Sequence, residues 1–268
     1  MSSGDPVLDA FYFCVAVFSA LCLGSFATAL SYRLPRGISI VTKLRSSCPH
    51  CGHDLGLADL VPVFSYLFLR GKCRHCSRAI GTHYLLIELS TVALAMLFYL
   101  QYGFSPAGVL FMALSAVLVS IIAIDLAFKI IPDGLNATVL AIGVVLLAAY
   151  GLTASNPPEF IIKHGASALG GVLLYGGGSW LLRLLAGGWL GREAMGLGDV
   201  KFFAAAGFIL TADPMVFAWF LMLSGFAGIG LALLWRRLHG GREFPFGPAI
   251  VVAFIAILLW HPPGFFPI

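Results

Sequence analysis

Three stretches of this chain, residues 89–124, 134–158 and 244–268, carry no Lys, Arg, Asp or Glu. Each is longer than the roughly 20 apolar residues that carry a helix across a bilayer. Charged residues make up 10% of the 268, and hydrophobic ones 60%; a soluble domain carries roughly 25% charged residues. The chain therefore reads as an all-α polytopic membrane protein, because lipid-exposed spans must satisfy their own backbone hydrogen bonds. The formal charge of +4 is no argument for nucleic acid as a partner. Its distribution is an argument about topology.

Apolar runs place about eight spans, at roughly 8–31, 84–100, 107–126, 135–152, 165–185, 200–211, 214–235 and 249–260. The run at 200–211 is short for a span. Of sixteen Lys and Arg residues, eight lie between Arg33 and Arg78. Basic residues collect on the cytoplasmic side, so that segment is expected inside and both chain ends outside. Fifteen of the sixteen then face the cytoplasm, with Lys163 the exception. Ala27-Thr28-Ala29 resembles a signal-peptide cleavage site. However, Asp5 and Asp9 precede the first apolar run and Arg33 and Arg36 follow it. That polarity predicts a retained first helix. Three parts result: a first transmembrane helix (1–31), a polar cytoplasmic segment (32–83) and a transmembrane core (84–268).

The polar segment holds Cys48-Pro49-His50-Cys51 and Cys73-Arg74-His75-Cys76. Two C-x-x-C knuckles at this spacing can close a tetrahedron of thiolates around Zn²⁺. Disulfides are the alternative, and a reducing cytoplasm disfavours them. A four-sulfur site leaves no position open for water, so the zinc is expected to be structural. His50, His53 and His75 are not needed as ligands. Cys14 and Cys22, in the first span, read as buried small apolar residues.

Ionised side chains are costly inside a bilayer, so acids at the ends of apolar runs are candidate functional groups. Asp125 ends the third span. Asp199 lies in Ala194-Met195-Gly196-Leu197-Gly198-Asp199-Val200-Lys201, behind two glycines that allow a tight turn. Brought together, two carboxylates share a proton. One can then take a proton from water while the other donates to a scissile carbonyl. Read singly, Asp199 is also a helix N-cap, and Asp125 an interfacial acid near Lys129. Asp133, after Ile131-Pro132, is the rival to Asp125 and reads better as an N-cap of the fourth span or a support for the site.

In order along the chain, these residues resemble the type IV prepilin peptidases, leader peptidase/N-methyltransferases of the Gly-x-Gly-Asp aspartic protease class. The resemblance rests on Gly24-Ser25-Phe26, Tyr32-Arg33-Leu34-Pro35, the two knuckles, Pro62 to Leu67, Leu69-Arg70-Gly71, and Tyr84 with Glu88. It continues through Asp125 with Ile131-Pro132-Asp133, Gly196 to Lys201, and Phe244-Pro245-Phe246-Gly247-Pro248. It implies Asp125 and Asp199 as the catalytic pair, supported by Gly196, Gly198, Lys201 and Asp133, with Cys48, Cys51, Cys73 and Cys76 on zinc. It implies cleavage of a short basic leader from prepilins or pseudopilins at the inner membrane, with the active sites facing the cytoplasm. It also implies methylation of the new N-terminus by S-adenosylmethionine, a function tied to the cysteine segment; Glu88 is the one candidate residue for that cofactor. Two departures fall in this half: Ala27-Thr28-Ala29 where the family usually has an asparagine, and Thr82-His83 before Tyr84.

Two other classes compete. A presenilin-type intramembrane protease shares Gly-x-Gly-Asp, but it has a Tyr-Asp on the partner helix, where this chain has Ile124-Asp125, and it lacks the cysteine loop. A transporter or scaffold would use its intramembrane acids as a proton relay and its zinc loop for docking. Membrane lipid is the other expected partner.

Overall fold

A computed structural model describes residues 5–40, 45–56, 59, 61–191, 195–240 and 243–261. Ala194, at the head of the glycine motif, lies outside them. The described residues form ten α-helices and no named strand. They are α1 (Pro6–Arg33), α2 (Phe64–Phe68), α3 (Thr82–Tyr102), α4 (Pro106–Phe128), α5 (Asp133–Thr153), α6 (Pro157–Gly171), α7 (Gly177–Leu190), α8 (Leu197–Leu210), α9 (Pro214–His239) and α10 (Gly247–Trp260). A π-helical turn, Val172–Gly176, joins α6 to α7.

Among the described residues, six helical stretches are long and apolar enough to cross a membrane: Pro6–Arg36, Thr82–Tyr102, Pro106–Phe128, Asp133–Thr153, Pro157–Trp189 and Pro214–His239. This is a multi-pass membrane protein. The other two expected spans correspond to α8 and α10, of 14 residues each. At 1.5 Å per residue each is about 21 Å long, short of a bilayer core of about 30 Å. The largest departure from expectation is the fifth span. The helix begins at Pro157, taking Glu159 and Lys163 into its first turns, and runs on to Leu190. The connection to the next expected span is therefore shorter.

The chain divides into two compact units, Met1–Ala123 and Ile124–Ile268. In the N-terminal unit, α1 packs along α3. Its buried stripe is Ala16, Ala20, Gly24 and Ala27; small residues at this spacing let helix backbones approach closely. Asp5 caps α1 by accepting from the Val7 N–H at 2.9 Å, and Arg33 closes its last turn. Both charges suit the helix dipole. Cys14 and Cys22 are exposed, not buried, because the buried stripe of α1 passes them by.

In the C-terminal unit, α8 is the innermost element. Phe202, Phe203, Ala206 and Ile209 are each fully buried on it. Around it lie α5, α6, the π turn and α10. Gly207 of α8 meets Gly171 backbone to backbone, and a Cβ on either would collide with the other's carbonyl. Gly176 likewise lies against Ala204 and Gly178 against Phe217, so these glycines serve close packing. Large side chains such as Trp180, Leu185 and Phe226 stay exposed on the outer helices, as a lipid-facing surface requires.

Candidate functional site

Asp125 sits in the last turn of α4, and Asp199 is the third residue of α8. Both are buried, at 4% and 8% relative exposure. Their carboxylates lie within electrostatic reach of each other. Each carboxylate is oriented by a backbone donor. The Gly247 N–H donates to Asp125 Oδ2 at 2.8 Å. The Gly196 N–H, at the start of α8, donates to Asp199 Oδ2 at 3.2 Å. Asp199 therefore does not occupy the N-cap position; Gly196 does, and Asp199 reaches back to it as the N3 residue of a capping box does.

The short loop after α4 presses on the start of α8. A Cβ on Gly198 would stand 3.1 Å from Ile131 Cβ and 3.3 Å from its carbonyl. Lys201 Nζ donates to Asp133 Oδ1 at 2.7 Å and to Oδ2 at 2.8 Å. Asp133 does not cap α5, whose N-cap is Pro132; it lies in the first turn and pairs with Lys201. Asn136 Nδ2 donates to the Gly198 carbonyl at 3.2 Å. A carbonyl can only accept, so this bond fixes the amide's orientation. It leaves Asn136 Oδ1 buried and without a partner among the described residues. Lys129, beside Asp125, sends its ammonium 3.7 Å from Glu243.

The four cysteines of the N-terminal unit converge, with all sulfurs within 4.8 Å of one another. Cys48 Sγ and Cys76 Sγ are 3.9 Å apart. The edge of a ZnS₄ tetrahedron with bonds near 2.3 Å is about 3.8 Å, so this pair already has the spacing that zinc requires. The two knuckles are built alike. Gly52 N–H donates to the Cys48 carbonyl and Ser77 N–H to the Cys73 carbonyl, both at 2.9 Å. Gly52 and Ser77 hold positive φ, 70° and 55°. Burial raises the Cys48 thiol, but backbone hydrogen bonds at His50 and Cys51 and the neighbouring thiols outweigh it and bring it to about 7. The backbone hydrogen bond at Arg78 lowers Cys76, yet burial and the other three sulfurs push it up to about 11. Crowded sulfurs share negative charge poorly, and a divalent cation would relieve that. Beside them, Arg74 Nε donates to Asp59 Oδ1 at 2.7 Å. Burial raises the Asp59 carboxyl, but this bond and the Gly56 N–H hold it below the usual carboxylate range.

A cavity of about 200 Å³ adjoins the knuckles. Ser25, Tyr32 and Arg33 of α1, Tyr66 of α2, and Tyr84 and Glu88 of α3 are among its walls. Arg33 is 7% exposed and donates to the Arg45 carbonyl at 3.1 Å and Ser46 Oγ at 3.2 Å. Glu88 Oε2 accepts from the Val63 N–H at 2.7 Å.

Comparison with known proteins agrees with this layout. Residues 18–102 match the profile of the bacterial peptidase A24 N-terminal domain. Residues 112–260, more than half of the chain, match the type IV leader peptidase family. The chain belongs to that family. A prepilin leader peptidase/N-methyltransferase of Burkholderia pseudomallei (strain K96243) is 36% identical over 82% of this chain and 68% of its own length. The Aeromonas hydrophila protein of the same name is 32% identical over 93% and 91%. The one from Pseudomonas aeruginosa is 29% identical over 95% and 94%. No solved structure matches the chain.

For this leader peptidase family member, the fold brings together Asp125, Asp199, Gly196, Gly198, Lys201 and Asp133 in one unit, and the four cysteines and Glu88 in the other. Sequence reasoning missed the Gly247 N–H, since a backbone donor leaves only the glycine as a trace. It also missed Asn136, which carries no signal beyond its polarity near the start of an apolar span. Arg33 reads in the sequence as a topological charge and a motif residue; its position as the last residue of a spanning helix is the available hint of its place in the cavity wall.

Proposed function

We propose that this enzyme removes the leader from prepilins or pseudopilins with an Asp125–Asp199 pair, and methylates the new N-terminal amine. The observation that carries the reading is the pair of buried carboxylates, from separate motifs, each holding a backbone N–H. With one oxygen of each committed in this way, the other is the one that meets water or the scissile carbonyl. The pair shares one proton: the ionised member takes a proton from the attacking water, and the protonated member donates to the carbonyl oxygen. The Lys201–Asp133 pair and Asn136 brace the turn that sets Asp199. Asn136 Oδ1 offers a further acceptor beside the site.

Methyl transfer belongs, in this reading, to the cavity beside the knuckles. Its lining suits S-adenosylmethionine: tyrosine rings for a purine, Arg33 for a carboxylate and Glu88 for a cationic centre. Bound there, the cofactor would supply an activated methyl group. The chain's own task is to hold the amine unprotonated and in line. Zn²⁺ on Cys48, Cys51, Cys73 and Cys76 would fold the knuckles and take no part in the reaction. The setting is the bacterial inner membrane, both reactions at its cytoplasmic face, serving a pilus or a type II secretion pseudopilus. Mass spectrometry of a prepilin co-expressed with this enzyme tests both activities together. The expected product has lost its leader and gained one methyl group. An intact precursor rejects the peptidase reading, and a cleaved but unmethylated product rejects the second half alone.

A further inference from the structure

The short helix α2 has two dissimilar faces. Ser65, Tyr66 and, just beyond the helix, Leu69 line the cavity. Phe64, Leu67 and Phe68, at helical spacing on the other side, are 49%, 58% and 83% exposed, and Val61 just before them is 45% exposed. Three large apolar side chains on five residues are costly in water. Their depth supplies a different solvent. The Val63 N–H, at the head of α2, is held by the Glu88 carboxylate. Glu88 lies six residues into α3, about 9 Å along its axis. Its backbone packs on Gly24 of α1, where a Cβ would stand 3.1 Å from the Glu88 carbonyl. Gly24 precedes Arg33, the last residue of α1, by nine residues, or about 14 Å. Both α1 and α3 belong to apolar stretches long enough to span. The head of α2 is thus tied to a level well inside the two helices that carry the segment.

The charge around it is predominantly positive. Residues 37–81 contain six Lys or Arg and two acids, Asp54 and Asp59, and Asp59 is paired with Arg74. Arg70, Lys72 and Arg78, just beyond α2, are exposed.

We propose that α2 is a re-entrant wedge seated in the bilayer interface. Phe64, Leu67 and Phe68 lie among the upper acyl chains, and Arg70, Lys72 and Arg78 bind anionic phospholipid headgroups. One wall of the cavity is then a lipid-supported helix. This placement stands independently of which reaction the cavity serves.

The full chain in nanodiscs of equal parts phosphatidylcholine and phosphatidylglycerol tests it. A photoreactive diazirine residue is placed at Phe68 in one sample and at His50, exposed in the first knuckle, in another. Mass spectrometry after illumination is expected to find phospholipid adducts at position 68 and chiefly water addition at position 50. Phosphatidylglycerol should exceed phosphatidylcholine among the adducts by roughly threefold or more. Water addition at position 68 equal to that at 50, or adducts there to protein, overturns the docking. Equal yields from the two lipids overturn its electrostatic half. Bound zinc, measured in each sample, reports that the domain is folded.

Discussion

The cysteine knuckles and the aspartate centre are held together by opposite means. Around the knuckles, short turns carry four sulfurs, and much of the surface is polar or exposed: of the four, only Cys48 and Cys73 are buried. A domain with so little apolar core would draw folding energy from a metal held by these four sulfurs. The aspartate centre takes its frame from packed helices. Phe202 and Phe203, fully buried on α8, hold the helix whose first turn carries Asp199. Two backbone N–H groups then aim the carboxylates. On the proposed zinc, one region is assembled by ligand chemistry and the other by helix packing, so the two should fail under different insults.

The largest expected effect comes from taking the metal away. A strong chelator, or Cys73→Ser, should unfold the knuckles and reduce methylation to background while leader cleavage continues. Zinc content and the two products, measured on the same samples, check this. Structural zinc binding of this kind is worth about 10–16 kcal/mol, so partial retention of methylation in metal-free protein would break the comparison.

Next comes Gly247→Ala. The added Cβ would lie 2.7 Å from Asp125 Oδ2, so the carboxylate must move although the N–H remains. A displacement on the scale of an ångström costs catalysis on the order of 10²-fold. The expected result is a fall in the cleavage rate of that order, with unchanged thermal stability and methylation of a pre-cleaved pilin. Loss of both activities together would mean that the two regions are not separable.

Lys201→Met is a milder insult to the same centre. The pair with Asp133 is about half exposed or more on both sides, and such pairs contribute about 0.2–1 kcal/mol. Cleavage should fall by only about twofold to fivefold, the equivalent of that energy, in a steady-state assay. The smallest effect is on the other side. Ser77 holds a positive φ where the first knuckle has Gly52. A left-handed conformation costs a non-glycine residue roughly 1–2 kcal/mol. Ser77→Gly should therefore tighten zinc retention modestly in a chelator competition and leave cleavage untouched.

Much of this was legible in the sequence, and unevenly so. Long charge-free runs locate helices well because the bilayer admits few alternatives; α3, α4 and α5 match their expected spans within a few residues. The fifth span was misjudged because Glu159 and Lys163 read as loop, whereas a helix end outside the apolar layer tolerates them. The C-x-x-C spacing exposed the cysteine cluster because ligand geometry is local. Of the aspartates' surroundings, Gly196 was legible from its motif, whereas Gly247 and Asn136 were not. Gly247 is distant in the chain and acts through its backbone, and the Asn136–Gly198 bond exists only once α5 and α8 pack. The cavity is likewise a product of α1, α2, α3 and the knuckle turns between them, and among its walls only Glu88 was singled out for methyl transfer.

The central claim is that Asp125 and Asp199 act as one unit, and the leader-cleavage rates of Asp125→Asn, Asp199→Asn and the double variant test it most directly. The account predicts that each single change lowers the rate by about 10³-fold or more, and that the double change is no worse than either alone. Near-normal cleavage by either single variant, in protein that inserts and still methylates a pre-cleaved pilin, would contradict it.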